Sequence, residues 1–285
     1  MIDVYLIAGA SGMLGTALKR VCAERGVRFD APGEAEFDIT DDAVVSRVVA
    51  DFSVSLGTGE RGVLVNAAAY TDVERAEDDV DSAYRVNEHG ARLLAEAARD
   101  TGLVFVHVST DFVFDGTRDG AYTETDEPHP LSVYGASKLA GERAVIAAYP
   151  DSLIVRTAWV FGENGVNFPT KILDLARERE TLSVVIDEVG SPTYTVDLAR
   201  GILSLLDVRA TGLFNLTNTG SCSRYEMAEA IVDLAGLQTV LVPVTADAFP
   251  SRAARPANSV LMCSKAARAG VVMPGWRDAL ERFIT

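Results

Sequence analysis

Lysine is nearly missing from this chain. Of 285 residues only Lys19, Lys138, Lys171 and Lys265 are lysine, so arginine supplies the other 22 of the 26 basic residues. Acidic residues number 41 and the net charge is −15. A groove for nucleic-acid phosphates is hard to build from that balance, so a nucleic-acid partner is not expected. The acidic, lysine-poor surface has two readings, adaptation to high internal salt or acidic drift with an arginine-favouring codon bias. Either speaks to solubility rather than to chemistry. Cysteine is scarce as well: Cys22, Cys222 and Cys263 are widely spaced and odd in number. They form neither a disulfide framework nor a zinc pattern, which points to a reducing cytoplasm. No apolar run reaches the roughly 18 residues of a membrane span. The start, "MIDVYLIAGASG", lacks a basic leader and runs straight into a strand-like segment, so no signal peptide is expected. Internal repeats and low-complexity linkers are absent too.

What the chain does have is apolar residues, 48% of the total, enough for a sizeable core. Short Val/Ile/Leu runs alternate with helical-period segments. "VYLIAGA", "VLVNAAA", "LVFVHVST" and "SLIVRTAWVFG" read as strands. Residues 13–24, 81–99 and 134–148 read as helices between them. Continuous apolar strands between helices mark a parallel sheet buried on both faces. The fold class is therefore α/β, a Rossmann-type doubly wound parallel sheet with a smaller C-terminal substrate-binding lobe. Residues 1–157 form the first unit, with 196–215 returning to it; 158–195 and 216–285 form the lobe. In the second half, helices are expected over 168–179, 196–206, 224–235 and 276–284, and strands at "LSVVI" and "GLFNLTN". Residues 53–62, "SVSLGTGERG", are the expected flexible loop.

"GASGMLG", residues 9–15, directly follows the first strand and opens the first helix. Gly9, Gly12 and Gly15 permit a tight turn and close approach of backbone to a pyrophosphate, which then meets the positive end of the helix dipole. Ser11, Met13 and Leu14 belong to the same loop. "FDITDD" places Asp38 after a candidate sheet strand; its carboxylate could accept from an adenine amino group, or the segment could simply cap the next helix. In "NAAAYTDVE", three alanines leave room for a flat ring or a ribose beside the backbone.

"VYGASKLAGE" places Tyr134 and Lys138 four residues apart, on one face of a helix. A free phenol titrates near about 10. A nearby ammonium lowers that value, and it can also hold the ribose hydroxyls of a nicotinamide cofactor. Thr110, ending "HVSTD", could donate to the same substrate oxygen. The set suits proton delivery to a carbonyl that receives hydride. Trp159 is one of two tryptophans and sits at the sheet's ligand-binding edge. It reads either as an apolar wall for a ligand's ring or as packing between the two units.

In this order these motifs resemble the extended short-chain dehydrogenase/reductases that act on nucleotide sugars, and among them the dTDP-4-dehydrorhamnose reductase family. The likeness runs through "GASGMLG", "NAAAYTDVERAE", "STDFVFDG", "SVYGASKLAGE", "RTAWVFGENGVNF", "VGSPTYTVDLA" and "RPANSVL". It implies Thr110, Tyr134 and Lys138 as the catalytic set. It puts Gly9, Ser11, Gly12, Met13, Leu14, Gly15, Asp38, Ile39, Ala67, Ala68 and Tyr70 on cofactor positions, beside Tyr134 and Lys138. Asp111, Trp159, Asn167 and Arg255 fall on or near the sugar-nucleotide site. The implied activity is reduction of the 4-keto group of a dTDP-sugar with NADPH or NADH; the residues do not separate the two cofactors. Another sugar-nucleotide reductase or epimerase, or a non-catalytic regulatory subunit of the same fold, are the alternatives. Dehydratases of this superfamily carry an acid pair after the threonine, whereas here Asp111 is followed by Phe112. Two residues depart from the family's pattern: Glu188, where glutamine is expected, and Arg224, where an aromatic residue is commoner. A carboxylate at Glu188 near an anionic nucleotide is unfavourable unless solvated or paired. The expected partner is the nucleotide sugar, with no membrane, no metal site and, as assembly, a homodimer.

Overall fold

A computed structural model describes residues 2–285. The first half alternates strand and helix. It runs β1 (Ile2–Ala8), α1 (Met13–Glu24), β2 (Phe29–Asp30), α2 (Asp42–Val54) and β3 (Glu60–Asn66). Helices α3 (Val73–Ala76), α4 (Val80–Tyr84) and α5 (Ala91–Thr101) follow, then β4 (Val104–Thr110), α6 (Val133–Ala148) and β5 (Leu153–Thr157). The second half is built from smaller pieces: β6 (Val160–Phe161), α7 (Phe168–Glu178), β7 (Thr181–Val185), β8 (Val189–Gly190) and β9 (Thr193–Tyr194). After them come α8 (Thr195–Asp207), β10 (Gly212–Asn215), β11 (Cys222–Ser223), α9 (Arg224–Leu234), β12 (Val240–Val244), α10 (Ser264–Arg268) and α11 (Trp276–Ile284).

Six strands form one parallel sheet in the order β10-β5-β4-β3-β1-β2. Each apolar run supplies both faces, because successive side chains point to opposite sides of a strand. In β1, Tyr5 and Ile7 join the core shared with α1 and α8, while Val4, Leu6 and Ala8 join the core under α2 and α5. Val63 and Val65 of β3 go to the first core and Leu64 to the second. Each such large side chain contributes roughly 1.5–3 kcal/mol when fully buried. The chain runs from β1 outward to β2 on one side and then to β3 on the other. The order in which strands are added therefore reverses between β1 and β3, whose ends Ala8 and Asn66 are paired. Open α/β sheets bind ligands outside the carboxyl ends of the strands at such a point.

Of the second-half elements, α8 packs beside α1 against the main sheet, and most of the short strands pair among themselves. β12 pairs parallel with β7, β11 antiparallel with β8, and β6 parallel with β9. β10 does not stay with them; it adds to β5 as the sheet's edge.

Several expectations are corrected. Residues 81–99 are not one helix: between α4 and α5 the backbone widens into a π-helical turn, Arg85–Gly90. Widened turns of this kind aim a side chain inward; here Asn87 is buried and bonds to both the backbone and Ser137. The loop expected over 53–62 shrinks to residues 55–59, since α2 continues to Val54 and β3 starts at Glu60. Arg28 ties both its ends, reaching Ser55 O and the Glu60 carboxylate. "FDITDD" follows no strand of its own, because β2 ends at Asp30. The run "SLIVRTAWVFG" breaks after Thr157, where Trp159 takes a left-handed φ of 45° before β6 resumes.

Candidate active site

The glycine loop joins β1 to α1. Gly9 has φ +77°, and a Cβ there would lie 2.5 Å from Ala68 N, so only glycine fits both the turn and the neighbouring strand end. A Cβ on Gly15 would collide with Gly9 O, which explains how α1 seats against the turn. Gly12 is the N-cap residue of α1 and supplies no side-chain cap, and no acidic residue lies in the first turn. The first N–H groups of α1 thus face outward beside an exposed Ser11 and Gly12. Uncapped donors, a glycine cradle and the sheet's switch point fit a dinucleotide pyrophosphate. Met13 and Leu14 are partly buried; Met13 Sδ accepts from Asn167 Nδ2 at 3.7 Å.

Asp38 is exposed, and its Oδ1 accepts from Thr40 N at 2.9 Å and Thr40 Oγ1 at 2.8 Å. The N-cap of α2 is Asp41, which accepts from Val44 N. Asp38 is therefore not the cap, and no protein donor occupies its Oδ2 among the described residues. Ile39 is buried in the core under α2, so only its backbone can meet a ligand. Ala67 N donates to Ala8 O, and Ala68 N to Asn66 Oδ1, fixing the alanine turn against the glycine loop. Tyr70 N donates to Asn87 Oδ1.

Thr110 ends β4 and Tyr134 lies in the first turn of α6. Ser132 caps that helix, accepting from Gly135 N at 3.2 Å. A Cβ on Gly135 would strike Phe112 O, so glycine lets α6 approach the turn after β4. The Tyr134 ring meets Phe112 edge-on at 5.6 Å. Thr110 Oγ1 donates to Asp111 Oδ1 at 3.0 Å and accepts from Phe112 N. Burial raises the Tyr134 phenol to about 12; the Thr110 hydroxyl pulls it back and the Asp111 charge adds to the rise. Burial lowers the Lys138 ammonium to about 8, against an opposing pull from Glu142. The expected lowering of the phenol by Lys138 is absent from the protein alone. The ammonium is turned onto Val108 O at 2.7 Å instead, which satisfies one of its donors within β4. Asp111 is 2% exposed and its Oδ2 has no partner. Burial raises its carboxyl to about 6, while the Ser259 and Thr110 hydroxyls draw it back.

A cleft of about 1160 Å³ is lined by Trp159, Asn167, Arg224, Arg255 and Glu188 among others; Thr110, Asp111, Tyr134 and Lys138 do not line it, but Arg224 on its wall is close enough for its charge to act on Asp111. Asn167 is spent on structure: Oδ1 accepts from Thr170 N in a capping box for α7, and Nδ2 donates to Gly162 O and Gly165 O. Arg255 donates to Glu74 Oε1 at 2.8 Å. Glu74 also accepts from Ser251 Oγ at 2.5 Å and Arg252 N at 3.0 Å, and the Ser251 and Arg255 contacts hold its carboxyl near 2. Trp159 is not a bare platform: Arg224 lies over its ring at 3.5 Å from the centroid, and the indole edge presses on Gly190.

The residues assigned from the sequence thus fall into two neighbouring groups. The glycine loop and the alanine turn meet at the switch point, while Thr110, Asp111 and Tyr134 act on one another and Asp111 feels the charge of Arg224 on the wall of the cleft that Trp159, Asn167 and Arg255 line. Two further residues were missed. Glu74 lay in plain view in "NAAAYTDVERAE", but its partners are some 177 residues away in sequence. Asn87 gave no signal beyond an asparagine inside an apolar helix period.

The parallel sheet, its switch point and the glycine loop define a Rossmann-type protein with a dinucleotide-style phosphate loop. The chain belongs to the family described as RmlD substrate binding domain, whose model matches residues 4–285. It is 42% identical to a dTDP-4-dehydrorhamnose reductase of Aggregatibacter actinomycetemcomitans, over 98% of this chain and 97% of that one. A dTDP-4-dehydrorhamnose reductase of Mycobacterium tuberculosis is 40% identical over 96% of this chain and 90% of its own. The solved structure of the Bacillus anthracis dTDP-4-dehydrorhamnose reductase in complex with NADP superposes with TM-score 0.93 at 37% identity, covering 99% of each chain.

Proposed function

We propose that this protein reduces the 4-keto group of dTDP-4-dehydro-L-rhamnose to give dTDP-L-rhamnose. The observation that carries the reading is that one sheet places Thr110 at the end of β4, with Tyr134 in the first turn of α6, and a glycine loop at its switch point. It occurs in a chain similar over almost its whole length to reductases of that name. Bound NADPH or NADH supplies the hydride. Gly9 to Gly15 would hold its pyrophosphate through backbone N–H groups, Ala67 and Ala68 would leave space for its ribose, and Lys138, which here donates to Val108 O, would offer a further donor to its nicotinamide ribose. Tyr134 gives its proton to the oxygen that becomes the hydroxyl, and a phenol raised to about 12 is fully protonated at neutral pH, the state an acid needs. In this structure the Thr110 hydroxyl gives its proton to Asp111 Oδ1; rotated off that contact, it would donate to the same substrate oxygen. The sugar nucleotide lies along the cleft between Trp159 and Arg255.

The three cysteines are free thiols, in keeping with a reducing cytoplasm. No helix among the described residues is long and apolar enough to cross a membrane.

The test is loss of reduced-nicotinamide absorbance on adding dTDP-4-dehydro-L-rhamnose to purified protein. Oxidation matched by an equal amount of dTDP-rhamnose is expected. No oxidation with either NADPH or NADH would contradict the reading.

A further inference from the structure

The two departures from the family pattern, Glu188 and Arg224, are neighbours in space. β8 and β11 pair antiparallel with Ser223 opposite Val189, which sets Arg224 and Glu188 side by side at the ends of the bridge. Arg224 N donates to Glu188 O at 3.2 Å, and Arg224 Nε reaches Glu188 Oε2 at 3.4 Å. The unfavourable carboxylate is thereby paired.

The pairing leaves most of the guanidinium unused. It carries five N–H donors in a planar fork, and among the described residues the long Nε contact is the only side-chain hydrogen bond it makes. Stacking on Trp159, with Phe168 at 5.0 Å, fixes its plane. Both side chains of the pair are 16% exposed, and neither terminal nitrogen of Arg224 is a buried orphan, so the free end of the fork reaches the cleft. Arg255 lines the same cleft, close enough for its charge to act on Arg224. Each arginine has a carboxylate of its own, Glu188 and Glu74, and the two cations still converge. Forked donors on two like charges match a dianion with several terminal oxygens.

We propose that Arg224, with Arg255, binds the diphosphate of the sugar nucleotide, and that Glu188 and Trp159 serve to hold the Arg224 fork open toward it. The inference deepens the proposed function and rests on it for the choice of ligand. A single charge-assisted contact is worth roughly 1.5–3 kcal/mol, or about ten- to a hundredfold in affinity.

The probe is dTDP alone, titrated calorimetrically into wild type, R224Q and E188Q, with thymidine and NADPH titrated alongside. R224Q is expected to weaken dTDP by about ten- to a hundredfold while thymidine and NADPH affinities stay as they are. E188Q keeps an acceptor for Nε and removes a negative charge, so dTDP should bind as well or better. If R224Q fails to fold, R224K is read the same way, since it keeps the charge but loses the fork and the stack. Unchanged dTDP affinity in the arginine variant, a matching loss for NADPH, or weaker dTDP binding in E188Q would each overturn the inference. The proposed function is separately scored by keto-sugar reduction. Wild type that reduces the sugar while R224Q binds dTDP normally refutes only the anion site; wild type that binds dTDP through Arg224 without turnover refutes only the reaction.

Discussion

Tyr134 keeps its proton tightly, and Lys138 keeps its own loosely. Both shifts come first from burial, which disfavours the charged form of each group. If the proton on the new hydroxyl comes from Tyr134, Tyr134→Phe should lower kcat by about 10²–10⁴-fold with cofactor affinity unchanged. A variant retaining wild-type kcat in steady-state assays would remove Tyr134 from the reaction. Lys138 is charged below about 8 and neutral above it. If the charged form is the one that holds the cofactor, kcat/KM should fall as pH rises through about 8, and Lys138→Met should abolish that limb. Asp111 offers a stability readout. Its carboxyl titrates near 6 in the fold and at 3.8 ordinarily. Between those values the folded state binds more protons, so stability drops as pH rises through the window. Asp111→Asn should therefore raise the melting temperature at neutral pH and leave it unchanged below about pH 4, as thermal scans at both conditions would report.

Among the elements, short α3 has a role out of proportion to its length. Glu74 gathers Ser251, Arg252 and Arg255, and so fastens the 250–255 segment along the cleft. Because the carboxyl titrates near 2, this clasp persists at every working pH. Glu74→Gln should raise KM for the sugar nucleotide several-fold and speed hydrogen exchange in residues 249–255, with cofactor KM unaltered. Equal exchange in both proteins would mean the segment is held by other contacts. Helix α6 has a deeper anchor. Glu142 takes Arg156 Nε at 2.8 Å and Nη2 at 2.6 Å, with both side chains 3% exposed. Removing one partner leaves the other charge buried, so Glu142→Gln should cost about 3–5 kcal/mol in denaturant unfolding. Much of this level was readable beforehand: α1 and α11 lie where their apolar periods put them. The π-helical turn at Arg85–Gly90 was not, since its cause is tertiary, the pull of Asn87 toward Tyr70 and Ser137.

At the scale of the whole molecule, the sheet was legible because each Val/Ile/Leu run had to be covered on both faces. The glycine loop was legible because its spacing answers one local need. The cleft was less so. Its walls come from residues 74, 159, 188, 224 and 255, brought together by β8–β11 pairing and the Glu74 clasp, and no local pattern encodes those meetings. For the same reason Glu188 and Arg224 stood out only as separate oddities until they proved to be a pair. Trp159 read either as a ligand wall or as packing between the two units, and the stacked Arg224 makes it a support.

Net transfer of hydride to the sugar separates a reductase from an epimerase, which returns what it takes, and from a binding protein, which takes nothing. The measurement is the fate of deuterium from nicotinamide C4 of labelled NADPH, incubated with this protein and dTDP-4-dehydro-L-rhamnose and followed by mass and NMR spectra of the product. One deuteron at sugar C4 in dTDP-L-rhamnose, with matching cofactor oxidation and none of either in Tyr134→Phe on the same timescale, is the result predicted. Deuterium that stays on the cofactor, or a sugar recovered as the ketone or as an epimer without label, would contradict it.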